Sequence, residues 1–261
     1  MTDDNLVFKN IAETIVKVMN EYSTNAQSTI DQKFKIQLAN SIYMLTNIYV
    51  LLNNVLNYPK QADVSDEIFE SQMIMWQACN TMLSALQLIR QGYLLEPQFL
   101  MRVSIEDLAL AVCFHLDEKS FSLYKEGKLS GNNCIGKIKT VIEEIGTIYG
   151  LLSQVAHPTV KVTGSSYNEE SKTVIIGGGY TEKMSNRTLF SFSLLNYLLL
   201  NMWKGSEFIF YEFNSDNRFW KKIDSGYQLK IDESIKGIIS SVKSDFENAI
   251  KSIDEETLIN P

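Results

Sequence analysis

Three stretches of this chain carry no charged residue: Ile36 to Pro59, Ser71 to Ile89 and Thr188 to Trp203. Nothing else in the sequence restricts the fold as strongly. A membrane span needs about 20 predominantly apolar residues. The first stretch is long enough, yet it holds Asn40, Asn47, Asn53, Asn54 and Asn57. The second holds Gln72, Gln77, Asn80 and Gln87, and the third is short, bracketed by Arg187 and Lys204. Amides at that density are costly in hydrocarbon. The stretches are read as helices of a bundle with no membrane partner.

Apolar spacing supports helix over most of the chain. Six long segments are expected: about Asn5 to Tyr22, Thr29 to Leu56, Ser65 to Gln91, Pro97 to Leu116, Ile135 to Ala156 and Asn186 to Tyr211. A short helix follows the fourth segment and ends at Gly127 or near Ser130-Gly131-Asn132-Asn133. Ser65-Asp66-Glu67 gives the third segment an acidic first turn, which suits the helix dipole. Pro97 fits the first turn of the fourth. The sixth is apolar almost all round, so it is the expected central helix. An amphipathic helix follows at about Asp232 to Ile253, and the tail Asp254 to Pro261 reads as frayed. The β-branched runs Thr159 to Thr163 and Lys172 to Ile176 flank a polar loop and predict a β-hairpin.

The fold class is thus mainly α: a helical bundle with a single β-hairpin insertion near 159–177. At about 100 to 200 residues per domain, 261 residues make one large domain or two small ones. No linker marks a boundary, so 1–261 is read as one domain with its core at about 5–211. Helices of the second and third segments carry amides where exposed faces usually carry Lys and Glu. Either they lie covered inside the bundle, or one face packs on another protomer, making a homo-oligomer.

The chain has 31 acidic and 24 basic residues, a net charge of −7. That opposes nucleic-acid binding by phosphate neutralisation, and no extended DNA-binding surface is expected. Cys79, Cys113 and Cys134 are widely spaced without a Cys-x-x-Cys pair, so no zinc cage and no metal or other cofactor is expected. Reduced, buried thiols and the acidic start Met1-Thr2-Asp3-Asp4 point to a cytoplasmic protein.

One candidate site stands out. Arg102 and Glu106 are four residues apart, on a stripe continued by Phe99, Ala109 and Cys113. Arg before Glu is the weaker order for a surface pair. Tyr149, Ser153 and His157 are spaced four and four on a later helix that Pro158 stops. A helix C-terminus favours protonated His157, which could serve as an acid or grip an anion. Arg102, Glu106, Tyr149, Ser153 and His157 either converge on a binding pocket or form a satisfied core network. His115 reads as a C-terminal cap. Gly177 to Gly179 reads as a turn, because it lacks the spacing of a phosphate-binding loop.

The runs Ile89-Arg90-Gln-Gly-Tyr93, Arg102-Val-Ser-Ile-Glu106 and Tyr149-Gly-Leu-Leu-Ser153-Gln-Val-Ala-His157-Pro158 resemble a group of bacterial helical proteins. That group resembles the HEPN class, the higher eukaryote and prokaryote nucleotide-binding helical domains. The resemblance covers about Thr81 to Pro158. It implies a dimeric protein of a bacterial defence or toxin system, with a nucleotide or RNA ligand. Many members of the class are RNases with an Arg followed closely by His on one helix; neither His115 nor His157 has an Arg in the ten preceding residues. Three functions follow as expectations: a binding or regulatory module with an anion-accepting pocket, a metal-independent RNase using His157 and Arg102, and a dimeric scaffold without chemistry.

Overall fold

The computed structural model describes residues 9–10, 13, 16–58, 64–156, 167–168, 173–174, 178–224 and 226–259. The fold is mainly α with a β-hairpin inserted between helices, as the sequence predicts. In chain order the helices are α1 (Ser23–Lys33), α2 (Lys35–Leu56), α3 (Asp66–Arg90), α4 (Glu96–Leu116), α5 (Glu118–Lys125), α6 (Gly131–Ile138) and α7 (Ile145–Ala156). Strands β1 (Tyr167–Asn168) and β2 (Thr173–Val174) follow, then α8 (Ser185–Ile209), strands β3 (Trp220–Ile223) and β4 (Gly226–Leu229), and α9 (Glu233–Ile259). No helix among the described residues is long and apolar enough to cross a membrane.

Where local signals are strong, helix boundaries fall where the sequence puts them. Ser65 caps α3 by accepting from the Ile68 N–H at 3.3 Å. Its side chain satisfies one of the donors that a helix start leaves unpaired. At the other end Gly92 takes φ of 83°, and a Cβ there would stand 1.9 Å from the Gly179 carbonyl oxygen. Only glycine meets both demands. A Cβ on Gly178 would stand 2.2 Å from the Gln91 carbonyl oxygen, so Gly178 and Gly179 make a backbone contact against the end of α3.

Other expectations need correction. The segment expected from Thr29 to Leu56 is broken at Phe34, whose backbone leaves the helical region (φ −108°, ψ 31°). The break drops the Phe34 ring into the core, stacked on Phe192 at 5.6 Å. The first segment shows a π-helical turn at Val18–Tyr22; Leu6, Ile11 and Ile15 lie outside the described residues. The segment expected from Ile135 to Ala156 is two helices, α6 and α7. The first starts earlier, at a reciprocal Ser130–Asn133 cap, and the β-branched run Thr140-Val141-Ile142 in the break is a weak helix former. The tail read as frayed continues α9 to Ile259.

Hairpin β1–β2 pairs Tyr167 with Val174 and Asn168 with Thr173. Strand β2 falls in the expected run, but its partner lies in the stretch read as loop; residues 159–163 lie outside the described residues. A second hairpin, β3–β4, which the sequence pattern does not predict, pairs Trp220 with Leu229 and Ile223 with Gly226.

Helix α8 is buried nearly all round, as its composition predicts. It packs against α2, α3, α4 and α9. Near its C-terminal end, fully buried Glu207 accepts backbone N–H bonds from Arg218 (2.7 Å), Phe219 (2.7 Å) and Trp220 (2.9 Å). Burial pushes this carboxyl above its usual range, and the three donors and the Arg218 charge pull against that shift. Trp220 Nε1 also donates to the Lys204 carbonyl at 2.9 Å. These bonds fasten the second hairpin to α8.

Replacing Glu207 by Ala leaves three buried N–H donors without their acceptor. The expected cost is of the order of 3 kcal/mol, or a fall in Tm of roughly 10 °C. Thermal denaturation of Glu207→Ala checks this, and an unchanged midpoint would refute the fastening role.

Candidate functional site

Three of the five residues proposed for the site meet. Helix α4 carries Arg102 and Glu106 on adjacent turns, and α7 brings Tyr149 across to them. Arg102 Nε donates to Glu106 Oε1 at 3.3 Å, and Nη2 donates to the Tyr149 hydroxyl at 3.1 Å. That hydroxyl lies 2.8 Å from Glu106 Oε1 and 3.0 Å from Asn132 Oδ1, and its single proton serves one of the two. The guanidinium stands 5.2 Å from the Tyr149 ring centre. Ser153 is not drawn in: its hydroxyl donates to the Tyr149 carbonyl of its own helix at 2.7 Å. His157 lies outside the described residues.

The expected burial of this pair needs correction. Side chains of Arg102 and Glu106 are 27% and 30% exposed. Cys113 and Ala109 are buried, but Phe99 on the same stripe is exposed, so the stripe runs along the edge of the bundle. The cluster is electrically balanced. One guanidinium faces one carboxylate, and this gives little net attraction for an anion.

Arg90, in the first run of the resemblance, is committed elsewhere. It binds Asp31 through Nε–Oδ1 (2.7 Å) and Nη2–Oδ2 (2.6 Å), tying α3 to α1. His115 is not a C-terminal cap; its Nε2 lies 3.1 Å from the Ser71 hydroxyl on α3. Burial holds its imidazole down at about 4. It is therefore neutral in the native state, and it costs stability as pH falls from about 6.5 towards that value. Cys79, Cys113 and Cys134 are free and buried. A hydrogen bond between the two thiols lowers Cys113 and raises Cys134. Lys137 stands near both and is itself held by Asp117 at 2.5 Å.

The features that sequence reasoning missed lie on the outer side of α2, α3 and α4. An open groove of about 530 Å³ is lined by Glu70, Met73, Ile74, Trp76, Gln77, Asn80, Thr81 and Ser84 of α3, Leu100 of α4 and Tyr124 of α5. The Tyr124 hydroxyl donates to Glu70 Oε1 at 3.0 Å. Asp107 lies seven residues along α4 from Leu100, on the same side of that helix. Its Oδ2 is buried without a hydrogen-bond partner. Burial, then the Glu106 charge, push its carboxyl up to about 6. Beside the groove, the Tyr49 and Trp76 rings pack at 5.1 Å, and the Tyr49 hydroxyl donates to Asn80 at 3.1 Å.

The amide stripe of α3 faces outward: Gln77, Asn80 and Ser84 are exposed. The expectation that this stripe lies covered inside the bundle is therefore overturned. The uncharged runs were visible in sequence, but their outward direction depends on which sides of α2 and α3 meet α8. No family model, curated protein or solved structure matches this chain.

Asp107 yields a pH prediction. An unfolded aspartate titrates near 3.9, so the native state holds extra protons between there and about 6. Stability contributed by this group falls as pH rises through that window, and the full cost stands at neutral pH. Asp107→Asn keeps the shape of the protonated form. It should stabilise the protein at neutral pH by of the order of 1 kcal/mol, once partial solvent screening is allowed for. The gain should vanish at pH near 4. Urea unfolding at both pH values measures this; equal stability of the two proteins at neutral pH contradicts it.

Proposed function

We propose that this chain is a helical binding module whose working surface is the outer face of α2, α3 and α4, uncharged over most of α2 and α3, and that this surface contacts another protein. One observation carries the reading. Of the fifteen large apolar side chains exposed among the described residues, eleven belong to these three helices. Scattered exposed apolar residues are ordinary. A contiguous patch marks an interaction surface, because water-exposed apolar area is recovered when a partner covers it. On α2 the exposed residues include Ile36, Ile42, Val50 and Leu56; on α3 they include Phe69, Met73 and Leu83.

The readings built on nucleotide or RNA chemistry draw less support. Arg102, their proposed anion contact, is balanced by Glu106 and shared with Tyr149. The groove is lined by one carboxylate, amides, hydroxyls and apolar groups, with no cation. Phosphate recognition runs on Lys and Arg. Resemblance to the nucleotide-binding helical class still makes nucleotides the natural small-molecule control.

Hydroxyl-radical footprinting in the protein's own host cells tests the proposal. Met73, Trp76, Tyr43 and Phe99 should label several-fold more slowly than their exposure in the isolated fold dictates. Ile223 and Leu229, exposed on the second hairpin, should label at the full rate. Equal normalised labelling on the helices and on the hairpin contradicts the reading.

A further inference from the structure

We infer that the partner is a second copy of this chain, seated on the α2–α3 face about a two-fold axis that passes near the Tyr49–Trp76 pair. The inference rests on the reading of that face as the working surface. It is carried by charge, by hydrogen-bonding symmetry and by size.

Charge comes first. Each copy carries −7, so two copies repel wherever their charged surfaces meet. From Ile36 to the end of α2, and from Ser71 to Ile89 on α3, no residue is charged. This is the side on which two like-charged chains approach at least electrostatic cost. The one carboxylate at the edge of this face, Glu70, is held by the Tyr124 hydroxyl and Lys125, so a partner of opposite charge finds little complementary charge here, and electrostatic complementarity is what selects such partners.

Hydrogen bonding comes second. A two-fold interface sets each residue against the same patch on its mate. A carboxylate or an ammonium fails against its own image, because like charges repel. An amide succeeds, because it both donates and accepts. The polar groups exposed on this face are amides and hydroxyls: Asn53 and Thr46 on α2, Gln77, Asn80 and Ser84 on α3. The exposed polar chemistry is therefore self-complementary.

Size comes third. The 22 residues of α2 span about 33 Å, and two adjacent helices are about 20 Å wide. That footprint, with its side-chain relief, approaches the roughly 800 Å² that each partner contributes to a stable interface. The Tyr49 and Trp76 rings lie near its middle, where aromatic anchors contribute most to binding.

The test is the solution mass of the full chain by light scattering and sedimentation, over a wide concentration range and at low and high salt. The expected mass is about 59 kDa, twice the chain's 29.7 kDa, and the association should not weaken with salt. Val50→Lys and Met73→Lys each alter a half-exposed side chain (51% for both), so helix content should stay at the wild-type level. Each should shift the mass to that of one chain, whereas Ile223→Lys on the second hairpin should leave it doubled. A wild-type mass of one chain throughout, an assembly larger than two, or a doubled mass that survives Val50→Lys and Met73→Lys overturns the inference. If the protein is monomeric but the cellular footprint still protects α2 and α3, the binding-module reading stands and the self-partner fails. If the footprint shows no protection, the broader reading fails.

Discussion

From Thr188 to Ile209, helix α8 has no solvent face, and the rest of the molecule is arranged around that fact. Phe192, Leu194, Leu195, Leu198, Leu199 and Met202 point in different directions around the helix, and all are buried. A helix apolar on every side stays in water only if other elements enclose it. Helices α2, α3, α4 and α9 supply most of that enclosure. Its amide and carboxylate groups are paired, while the hydroxyls of Thr188, Ser191, Ser193 and Ser206 are buried without a partner among the described residues. Asn196 accepts from Ser41 at 2.5 Å and donates to the Gln37 carbonyl at 3.0 Å, while Glu207 collects three backbone donors. Each of these paired groups would cost more than a kilocalorie or so if left unpaired.

Enclosing α8 uses one side of each surrounding helix, and the other side is left to composition. On α9 that side is charged, with Lys236 and Glu233 paired at 2.5 Å. On α2 and α3 it is not. Those two helices are apolar or amide-bearing around most of their circumference, as though covered twice, while the chain itself covers them once. The proposed contact with a second copy would supply the other cover. It also accounts for a chain of −7 leaving its longest uncharged runs on the outside.

Local chemistry made part of this fold legible from sequence. Ser65 with its acidic first turn, Pro97 and Gly92 place the ends of α3 and the start of α4 to within a residue or two, because caps and turn residues act through their own backbone. The uniform apolarity of α8 placed it at the centre. The break at Phe34, the separation of α6 from α7 and the β3–β4 hairpin were not legible. The first is set by the ring of Phe34 reaching Phe192, and the last by Glu207, which lies more than ten residues upstream of the strand it anchors. At the candidate site, four-residue spacing correctly joined Arg102 to Glu106, and Tyr149 does reach them. Spacing says which residues share a side, but not whether that side faces protein or water. The same blindness hid the groove, whose walls come from three helices.

On this reading the outer side of α2 and α3 is a covered side in the working protein. The most direct measurement places a spin label at Thr46, in the middle of exposed α2, through Thr46→Cys. The three native thiols are buried and leave the new one as the accessible site for reaction. Pulsed dipolar spectroscopy of the singly labelled protein then reads only distances between molecules. A defined, short intermolecular distance is expected, and it should disappear when labelled protein is diluted with excess unlabelled chain. A decay with no dipolar modulation at any protein concentration would contradict it.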